Sequence, residues 1–325
     1  MVPQISLLIL LVDVIDTIPS PPVDRRRGRP ATYPDQLFLK ALVIMVVRDV
    51  TTVDGLLAIL AQPTLEMQAL RARLTCDGRF PSRRTWERRL NALPATLPAR
   101  IACLGTYLVT ALHPWADGGA AVAIDSTVLR AQGGVWHKKD REAGVVPHTS
   151  IDTEAHWTKS GWHGWVYGWK LHLVVSVAAV WIPLAAELTP ANAADNETAP
   201  RLLDVVPRTV RFVLGDTNYQ DPALHAHCAA ADRFLVATRR GRYPHTDDGV
   251  EVRRIFHQLR SHAIENFNGQ FKAIFDVRGS VPTRGLIRTQ RFALGAVFVY
   301  QLTLLQRFEH GQDLRAGLKA FLKAA

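Results

Sequence analysis

Apolar residues recur every three or four positions through the first third of the chain, a spacing that predicts helices. A short apolar helix is predicted over residues 4–18, ending at a proline cluster, and a series of helices over residues 34–112. Thr52 and Ser82 are predicted N-caps of two of these helices. Residues 292–305 are also strongly apolar, but polar residues interrupt them before about 18 apolar positions accumulate, which predicts a core-facing helix and no membrane span.

Beyond residue 116 the pattern changes to short apolar runs rich in β-forming residues, which predict strands separated by helices. The predicted strands are residues 120–125, 170–180, 211–214 and 234–237, and the predicted helices are residues 196–205 and 222–231. Strands followed by strand–helix alternation predict an α/β domain with a mixed sheet flanked by helices, preceded by an all-helical N-terminal region.

The chain carries 39 Lys and Arg against 29 Asp and Glu, a formal net charge of +10. Such a surplus favours a polyanionic partner, most commonly nucleic acid, although a basic protein that is merely soluble has the same balance. The three cysteines are far apart, form no CxxC pair and indicate a reducing cytoplasm. The apolar stretch near the N-terminus lacks the basic residues of a signal peptide, so neither export nor membrane anchoring is expected.

Two basic segments in the N-terminal region are candidate DNA contacts. Residues 25–30 hold four arginines beside Gly and Pro, as is typical of a flexible, phosphate-seeking tether. Residues 82–90 predict a basic helix after a turn, with Trp86 and Leu90 on one face, which resembles the reading helix of a helix-turn-helix. A solvated basic helix without sequence readout is the alternative. The candidate contacts in these segments are Arg26, Arg27, Arg83, Arg84 and Arg88.

Residues 136–169 are rich in tryptophan and histidine. One interpretation is a DNA-facing loop whose aromatic rings stack on unpaired bases while Lys138 and Lys139 contact phosphates. The other is core packing, which we assign to Trp165 and Trp169 because they lead into a predicted strand. The histidine spacings match no zinc site.

Two aspartates, Asp125 and Asp216, directly follow apolar runs, and we expect each at the end of a buried strand. If the strands are neighbours, the two carboxylates repel unless a cation lies between them, and their oxygens suit Mg²⁺ or Mn²⁺. Glu265 borders the apolar face of a predicted helix, with Lys272 two turns later on the same side. Two-metal phosphoryl transfer needs an acidic cluster of this kind.

Three other acids are interpreted as structural. Asp195 stands where a helix N-cap is expected, before Asn196 and Glu197. Asp152 and Glu154 are expected to hold the fold around the site without taking part in the chemistry.

At these residues the chain resembles the bacterial insertion-sequence transposases of the DDE class, which have a ribonuclease H-like nuclease core. The resemblance covers roughly residues 118–308. It rests on AIDST at 123–127, DTEAHW at 152–157 with GWVYGWKLH at 164–172, LGDTNY at 214–219, and Glu265 followed by Lys272 with six residues between them.

The resemblance implies two-metal catalysis, in which water cuts each element end and the freed 3′-hydroxyl attacks target DNA. Asp125, Asp216 and Glu265 would be the catalytic residues and would hold Mg²⁺, for which Mn²⁺ may substitute, while Lys272 would contact DNA near the scissile phosphate. It also implies double-stranded DNA partners, a homodimer or larger assembly that pairs two ends, and a location at the nucleoid in a bacterial cytoplasm.

On this basis we divide the chain into four parts. They are an N-terminal helix and basic arm (1–30), a helical DNA-binding and dimerisation region (31–115), a ribonuclease H-like catalytic domain (116–290) and a C-terminal helical segment (291–325). Two alternatives remain open: a catalytically silent, transposase-derived repressor or architectural protein, and a metal nuclease of repair or defence.

One position departs from the family pattern. Relatives usually carry an arginine four residues before the catalytic glutamate, where this chain has Ser261. Arg260, a candidate phosphate contact, is displaced from that position by one residue, about 100° around a regular helix. It replaces the family's arginine only if the local backbone differs from a regular helix.

Overall fold

The computed structural model describes residues 6–22, 32–116, 120–161, 164–237, 247–315 and 317–324. Its helices are α1 (Leu7–Asp13), α2 (Asp35–Val47), α3 (Val53–Leu60), α4 (Leu65–Arg73), α5 (Arg83–Ala92), α6 (Leu97–Ala116), α7 (Lys138–Glu142), α8 (Asp195–Asp204), α9 (Pro222–Ala230), α10 (Asp247–Arg260), α11 (Asn266–Ile274), α12 (Leu286–Glu309) and α13 (Leu318–Lys323). Its strands are β1 (Ala121–Arg130), β2 (His156–Ser160), β3 (Gly164–Ser176), β4 (Pro183–Pro190), β5 (Phe212–Leu214) and β6 (Phe234–Val236).

The N-terminal helices form where the apolar periodicity predicts them. Helix α1 and a following 3₁₀ turn occupy the described part of the helix predicted over residues 4–18. The hydroxyls of Thr52 and Ser82 accept backbone N–H bonds at 3.0 and 3.3 Å, which confirms both predicted N-caps. On α5, Trp86 and Leu90 are fully buried.

Strand β1 lies at the centre of a six-stranded sheet, antiparallel to β3 and parallel to β5. The order is β2-β3-β1-β5-β6, and β4 also pairs with β3. Antiparallel strands on one side of β1 and parallel strands on the other form the ribonuclease H-like arrangement, which confirms the predicted fold. Neither β2 nor β4 is predicted from the pattern, because β2 is largely polar and prolines flank β4.

Helix α12 connects the helical region to the sheet. It is buried over most of residues 291–307 and packs against α2, α6 and β4. The side-chain amide of Gln301 donates to the carbonyls of Ile101 and Pro183, both at 2.8 Å. This confirms the core-facing helix predicted over residues 292–305. No single described helix is long and apolar enough to cross a membrane, and one bent pair, α5 with α6, qualifies by length and composition alone.

Candidate active site

Asp125 and Asp216 lie side by side because β1 and β5 are parallel neighbours. The ladder between these strands ends where Ala123 pairs with Leu214, and each aspartate lies two residues beyond its member of that pair. The equal offset brings both carboxylates to the same end of β5. The expectation that Asp125 ends its own strand is wrong, because pairing with β3 continues β1 to Arg130 after β5 has ended.

Burial and mutual repulsion make Asp125 hard to ionise. Its pKa rises to about 7, first through burial and then through the charge of Asp216, against the opposing effects of the Ser126 N–H and Arg260. Burial also raises the pKa of Asp216, against the backbone N–H of Asn218, which donates to it at 2.8 Å, and the charge of Arg260. The two aspartates therefore form the crowded pair of like charges that their positions in the sequence predict.

Glu265 ends a wide helical turn between α10 and α11. Ser261–Glu265 forms a π-helical turn, whose hydrogen bonds span five residues and so accommodate one extra residue. The Nη2 atom of Arg260 lies 3.0 Å from Oε1 of Glu265, and its Nη1 lies 3.6 Å from Oδ2 of Asp125. The hydroxyl of Ser261 also donates to Oε1 of Glu265 at 3.0 Å. The π-helical turn thus provides the irregular backbone that lets Arg260 reach Glu265 from one residue further along the chain. Its guanidinium lies between Glu265 and Asp125.

The three acids line one cleft with a volume of about 1010 Å³. Four cations line it as well: Lys159, Lys170, Arg260 and Lys272. Burial and the charge of Arg130 lower the pKa of Lys272, and Asp125 partly offsets this. Binding of an anion in the cleft would stabilise the charged form of this partly buried ammonium group.

A fourth acid, Asp195, also lines the cleft. The expectation that it caps α8 is wrong, because Ala194 occupies the cap position and Asp195 is the first helical residue. Its Oδ1 lies 3.1 Å from Nζ of Lys170 and 3.5 Å from Nδ1 of His172. Burial lowers the pKa of His172 to about 4, so the ring is neutral at neutral pH and Lys170 supplies the compensating charge. The sequence holds one signal for this polar cluster: Lys170 and His172 alternate with apolar residues and therefore lie on the same face of β3.

Asp152 and Glu154 serve the fold, as interpreted from the sequence. Asp152 accepts a bond from the backbone N–H of Gly285 at 2.9 Å, and Glu154 accepts one from Leu286 at 3.0 Å. Both carboxylates therefore bind N–H groups at the start of α12, where backbone donors lack helical partners.

Most other predicted DNA contacts do not line this cleft. Arg83 is held by Asp54, with 2.7 Å between Nε and Oδ1. Arg84 and Arg88 on α5, and Lys138 and Lys139 on α7, are exposed. Arg26 and Arg27 lie outside the described residues. The described cations of α5 and α7 therefore do not line the acidic cleft.

The two tryptophans of β3 differ in burial. Trp169 is fully buried, which confirms its packing role, whereas Trp165 is 66% exposed, so the packing prediction is wrong for this residue. The pairing of β1 with β3 reaches only Gly168, and Trp165 lies beyond it, where β3 pairs with β2. Its cross-strand partner Lys159 lines the acidic cleft.

The donor set suits a hard divalent cation, because carboxylate oxygens are the ligands that Mg²⁺ and Mn²⁺ prefer. The buried hydroxyl of Tyr219, which has no hydrogen-bond partner among the described residues, adds an unused polar atom nearby. As they stand, no three acid, histidine or cysteine side chains in the described ranges converge tightly enough to hold an ion. Glu265 is bound instead by Arg260 and Ser261.

The sheet topology and the acids beside the junction of β1 and β5 define a protein of the ribonuclease H-like class. Residues 117–302 match the family model described as "Transposase DDE domain". Because this match spans more than half of the chain, the protein belongs to the DDE transposase family.

Two solved structures similar to this chain are transposase–DNA complexes. One is a piggyBac transposase synaptic complex with hairpin DNA, at 10% identity and a TM-score of 0.42, covering 96% of this chain and 74% of that one. Another is a pre-cleavage Mos1 transpososome, at 13% identity and a TM-score of 0.22, covering 90% and 83%. At these scores the likeness is too distant to equate individual residues. No curated protein matches the chain at a significant level.

Proposed function

We propose that this protein is a DNA transposase that binds the ends of its element, cuts them and joins the freed 3′-hydroxyls to target DNA. The observation that carries the proposal is the equal two-residue offset of Asp125 and Asp216 beyond the Ala123–Leu214 pair, with Glu265 on the same cleft. Membership of the DDE transposase family supports it. In this proposal Asp125, Asp216 and Glu265 are the catalytic residues.

These three acids would hold Mg²⁺, or Mn²⁺ in its place. The cation supplies activation of water or a 3′-hydroxyl and stabilisation of the leaving oxygen. The raised pKa of Asp125 fits this role, because a nearby positive charge would favour ionisation of both aspartates. Glu265 would exchange its bonds to Arg260 and Ser261 for this new partner.

Lys272 and Arg260 would bind the DNA beside the acids. Once Glu265 is otherwise engaged, the guanidinium of Arg260 is free for the non-bridging oxygens of a phosphate, for which its planar donors are suited. A phosphate would favour the charged form of the partly desolvated ammonium of Lys272, whose pKa burial and Arg130 lower. Both cations would thus position the scissile phosphate and balance its charge.

The exposed cations outside the cleft would bind the DNA away from the reacting phosphate. Arg84 and Arg88 project from α5, and Lys138 and Lys139 from α7, in a chain with a net charge of +10. Phosphate contacts of this kind fix the position of a protein on duplex DNA. We further propose that a homodimer or larger assembly pairs the two ends, with double-stranded element ends and target DNA as partners.

The test is cleavage of DNA that carries the native flanking ends, with Mg²⁺, with Mn²⁺ or with a chelator. Asp216→Asn is expected to bind the ends and not cut them, because the amide keeps the shape of the side chain and removes its charge. Asp204→Asn is the matched control, since Asp204 is 62% exposed and lies at the far end of α8. Equal cutting by the wild type and Asp216→Asn would overturn the proposal.

A second candidate, a catalytically silent DNA-binding repressor or architectural protein, draws on the same site. Arg260 and Ser261 both donate to Oε1 of Glu265, so this oxygen is already engaged without a cation. If this arrangement persists on DNA, the protein binds ends and does not cut them. Specific binding without cutting, with both metals and with paired ends, would favour this candidate.

A further inference from the structure

Lys170 places an ammonium group on an inner strand of the sheet. It lies on β3 between Trp169 and Leu171, which are both fully buried, and its own side chain is 13% exposed. Its Nζ donates to the carbonyl of Ala193 at 3.0 Å and to Oδ1 of Asp195 at 3.1 Å. An ammonium has three N–H donors, so these two bonds within the described chain leave one donor for a further partner.

The side chain of Lys170 lines the acidic cleft together with Asp195 at the start of α8. A buried ion pair contributes little to stability, because the cost of removing both charges from water offsets their attraction. The remaining donor lies where a ligand in the cleft can reach it. This placement indicates a role in binding.

The carboxylate of Asp195 is held in a fixed position beside Lys170. It is 13% exposed, and its Oδ1 also lies 3.5 Å from Nδ1 of His172. His172 is fully buried, and its Nε2 lies 2.9 Å from Oγ1 of Thr189 on β4. Asp195 is therefore supported by β3 and β4, and it fixes the direction of the ammonium group.

Lys170 and Arg260 reach the cleft from opposite faces of the sheet. Lys170 pairs with Val128, three residues beyond Asp125, so the side chains of Lys170 and Asp125 leave the sheet on opposite faces. Arg260 contacts Asp125 at 3.6 Å. Both groups meet in one cleft because residues 125–128 of β1 line it beyond the end of the pairing with β5. A phosphate bound by Lys170 would thus differ from the phosphate beside Arg260.

The charges of the cleft allow a second phosphate to bind. The four cations that line it are matched by four acids, the three proposed catalytic residues and Asp195. A divalent cation held by the catalytic acids would therefore leave a surplus of positive charge. Such a surplus in a cleft attracts polyanions.

We propose that Lys170 binds a DNA phosphate next to the scissile one, and that Asp195 is a positioning residue that holds the ammonium of Lys170 in the cleft. This inference rests on the proposed function, because it requires DNA in the cleft. Lys170 would use its remaining donor and keep its bond to Asp195. Asp195 would act through Lys170 and would not hold the metal.

The experiment measures the affinity of Lys170→Gln for end DNA by fluorescence anisotropy, in the Asp216→Asn background so that the DNA stays uncut. Single phosphates near the cut are replaced in turn by uncharged methylphosphonates. Lys170→Gln is expected to bind about tenfold more weakly and to lower the slope of log affinity against log salt by about 0.9. One non-scissile methylphosphonate is expected to weaken binding by the Lys170 protein and not by Lys170→Gln. Equal weakening of both proteins at every position would overturn the inference.

Asp195→Ala tests the positioning role. It is expected to weaken binding as Lys170→Gln does, and to add no further loss when the two substitutions are combined. The Mg²⁺ concentration for half-maximal end cleavage is expected to stay at the wild-type value. A higher Mg²⁺ requirement would identify Asp195 as a metal ligand, and tighter DNA binding would show that its charge repels DNA. Either result would overturn the positioning role.

Lys40→Gln is the matched control, because Lys40 is a similarly buried lysine, 2.6 Å from Asp16, and lies on α2 away from the cleft. It is expected to lower stability and to leave DNA affinity and the methylphosphonate pattern unchanged. Arg201→Gln removes the bond between α8 and Glu187 and is also expected to keep full affinity, unless the placement of α8 alone decides binding. Weaker binding by Arg201→Gln with the same methylphosphonate pattern as Lys170→Gln would overturn the specific role of Lys170.

The wild type separates this inference from the proposed function. If it cuts the ends and Lys170→Gln binds them with full affinity, the proposed function stands and the role of Lys170 is wrong. If it binds the ends and does not cut them, the proposed function is wrong, and the methylphosphonate series still decides the role of Lys170. If it does not bind the ends, both are wrong.

Discussion

The guanidinium of Arg260 donates to the carboxylate of Glu265, with 3.0 Å between Nη2 and Oε1, although the two residues are five positions apart. In a regular α-helix, neighbours on one face are three or four positions apart. The π-helical turn Ser261–Glu265 provides the fifth position. The wider turn therefore accommodates the additional residue between Arg260 and Glu265, so that their side chains still meet beside the acidic cleft.

Deleting Ser261 tests this compensation. The deletion brings Arg260 to the fourth position before Glu265, and we expect the wide turn to close into a regular helix that keeps the two side chains together. End cleavage is expected to remain within about tenfold of the wild type. Arg260→Ala removes the guanidinium and is expected to reduce cleavage by about 100-fold, the usual effect of losing a donor to developing charge.

The measurement is the single-turnover rate of end cleavage in both variants. Circular dichroism of the deletion variant is the control for retained helix content. A deletion variant that cleaves as slowly as Arg260→Ala would contradict the structural role of the π-helical turn.

The raised pKa of Asp125 predicts that the metal-free protein loses stability as pH rises. An aspartate that titrates near 3.8 when unfolded and at about 7 when folded binds more protons in the folded state between these values. The free energy of unfolding therefore falls across this window, by about 1.4 kcal/mol for each unit of pKa difference. Addition of Mg²⁺ at pH 8 is expected to restore part of the loss.

Asp125→Asn removes this titration. The variant is expected to be more stable than the wild type at pH 8 and close to it at pH 4, which urea unfolding without metal measures at both values. Parallel pH profiles of the two proteins would show that Asp125 ionises normally.

Substitutions of Trp165 and Trp169 are expected to affect different properties, DNA binding in the first case and stability in the second. Trp169 is fully buried, so Trp169→Ala is expected to cost about 3–5 kcal/mol of unfolding free energy. Trp165 is exposed beside Lys159, so Trp165→Ala is expected to change stability by less than about 0.5 kcal/mol and to weaken end binding. Urea unfolding and fluorescence anisotropy with labelled end DNA measure the two effects. Unchanged affinity in Trp165→Ala would remove this residue from the DNA interface.

Arg84 and Arg88 are expected to bind DNA by contacting its phosphate groups. Both are exposed on α5, and loss of one phosphate contact reduces the slope of log affinity against log salt by about 0.9. Arg84→Ala and Arg88→Ala are therefore each expected to lower the slope by about that amount. Arg83→Ala is the matched control, because Asp54 and Glu87 already bind this arginine, and it is expected to change the slope less. Equal slopes in all variants would place α5 away from the DNA.

Local patterns in the sequence are sufficient to predict most helices and the N-caps, and they single out Asp125, Asp216 and Glu265 as candidate acids. Thr52 and Ser82 are recognisable because a cap bonds to N–H groups within the next three residues. Asp125 and Asp216 are recognisable because each follows an apolar run, and Glu265 because it shares a helix with Lys272. These features depend on neighbours a few positions away, which the sequence displays directly.

Contacts between distant segments were decided by the tertiary structure. The strand of Asp125 continues past this residue because β3 pairs with it there, and Trp165 is exposed because it lies beyond the end of that pairing. Asp195 faces Lys170 through the placement of α8 beside β3. The π-helical turn leads directly into α11, whose Phe267 and Phe271 are fully buried in the core. Side-chain periodicity specifies which face of an element is apolar, but strand register and helix placement depend on packing the whole chain, and these determine which polar groups meet.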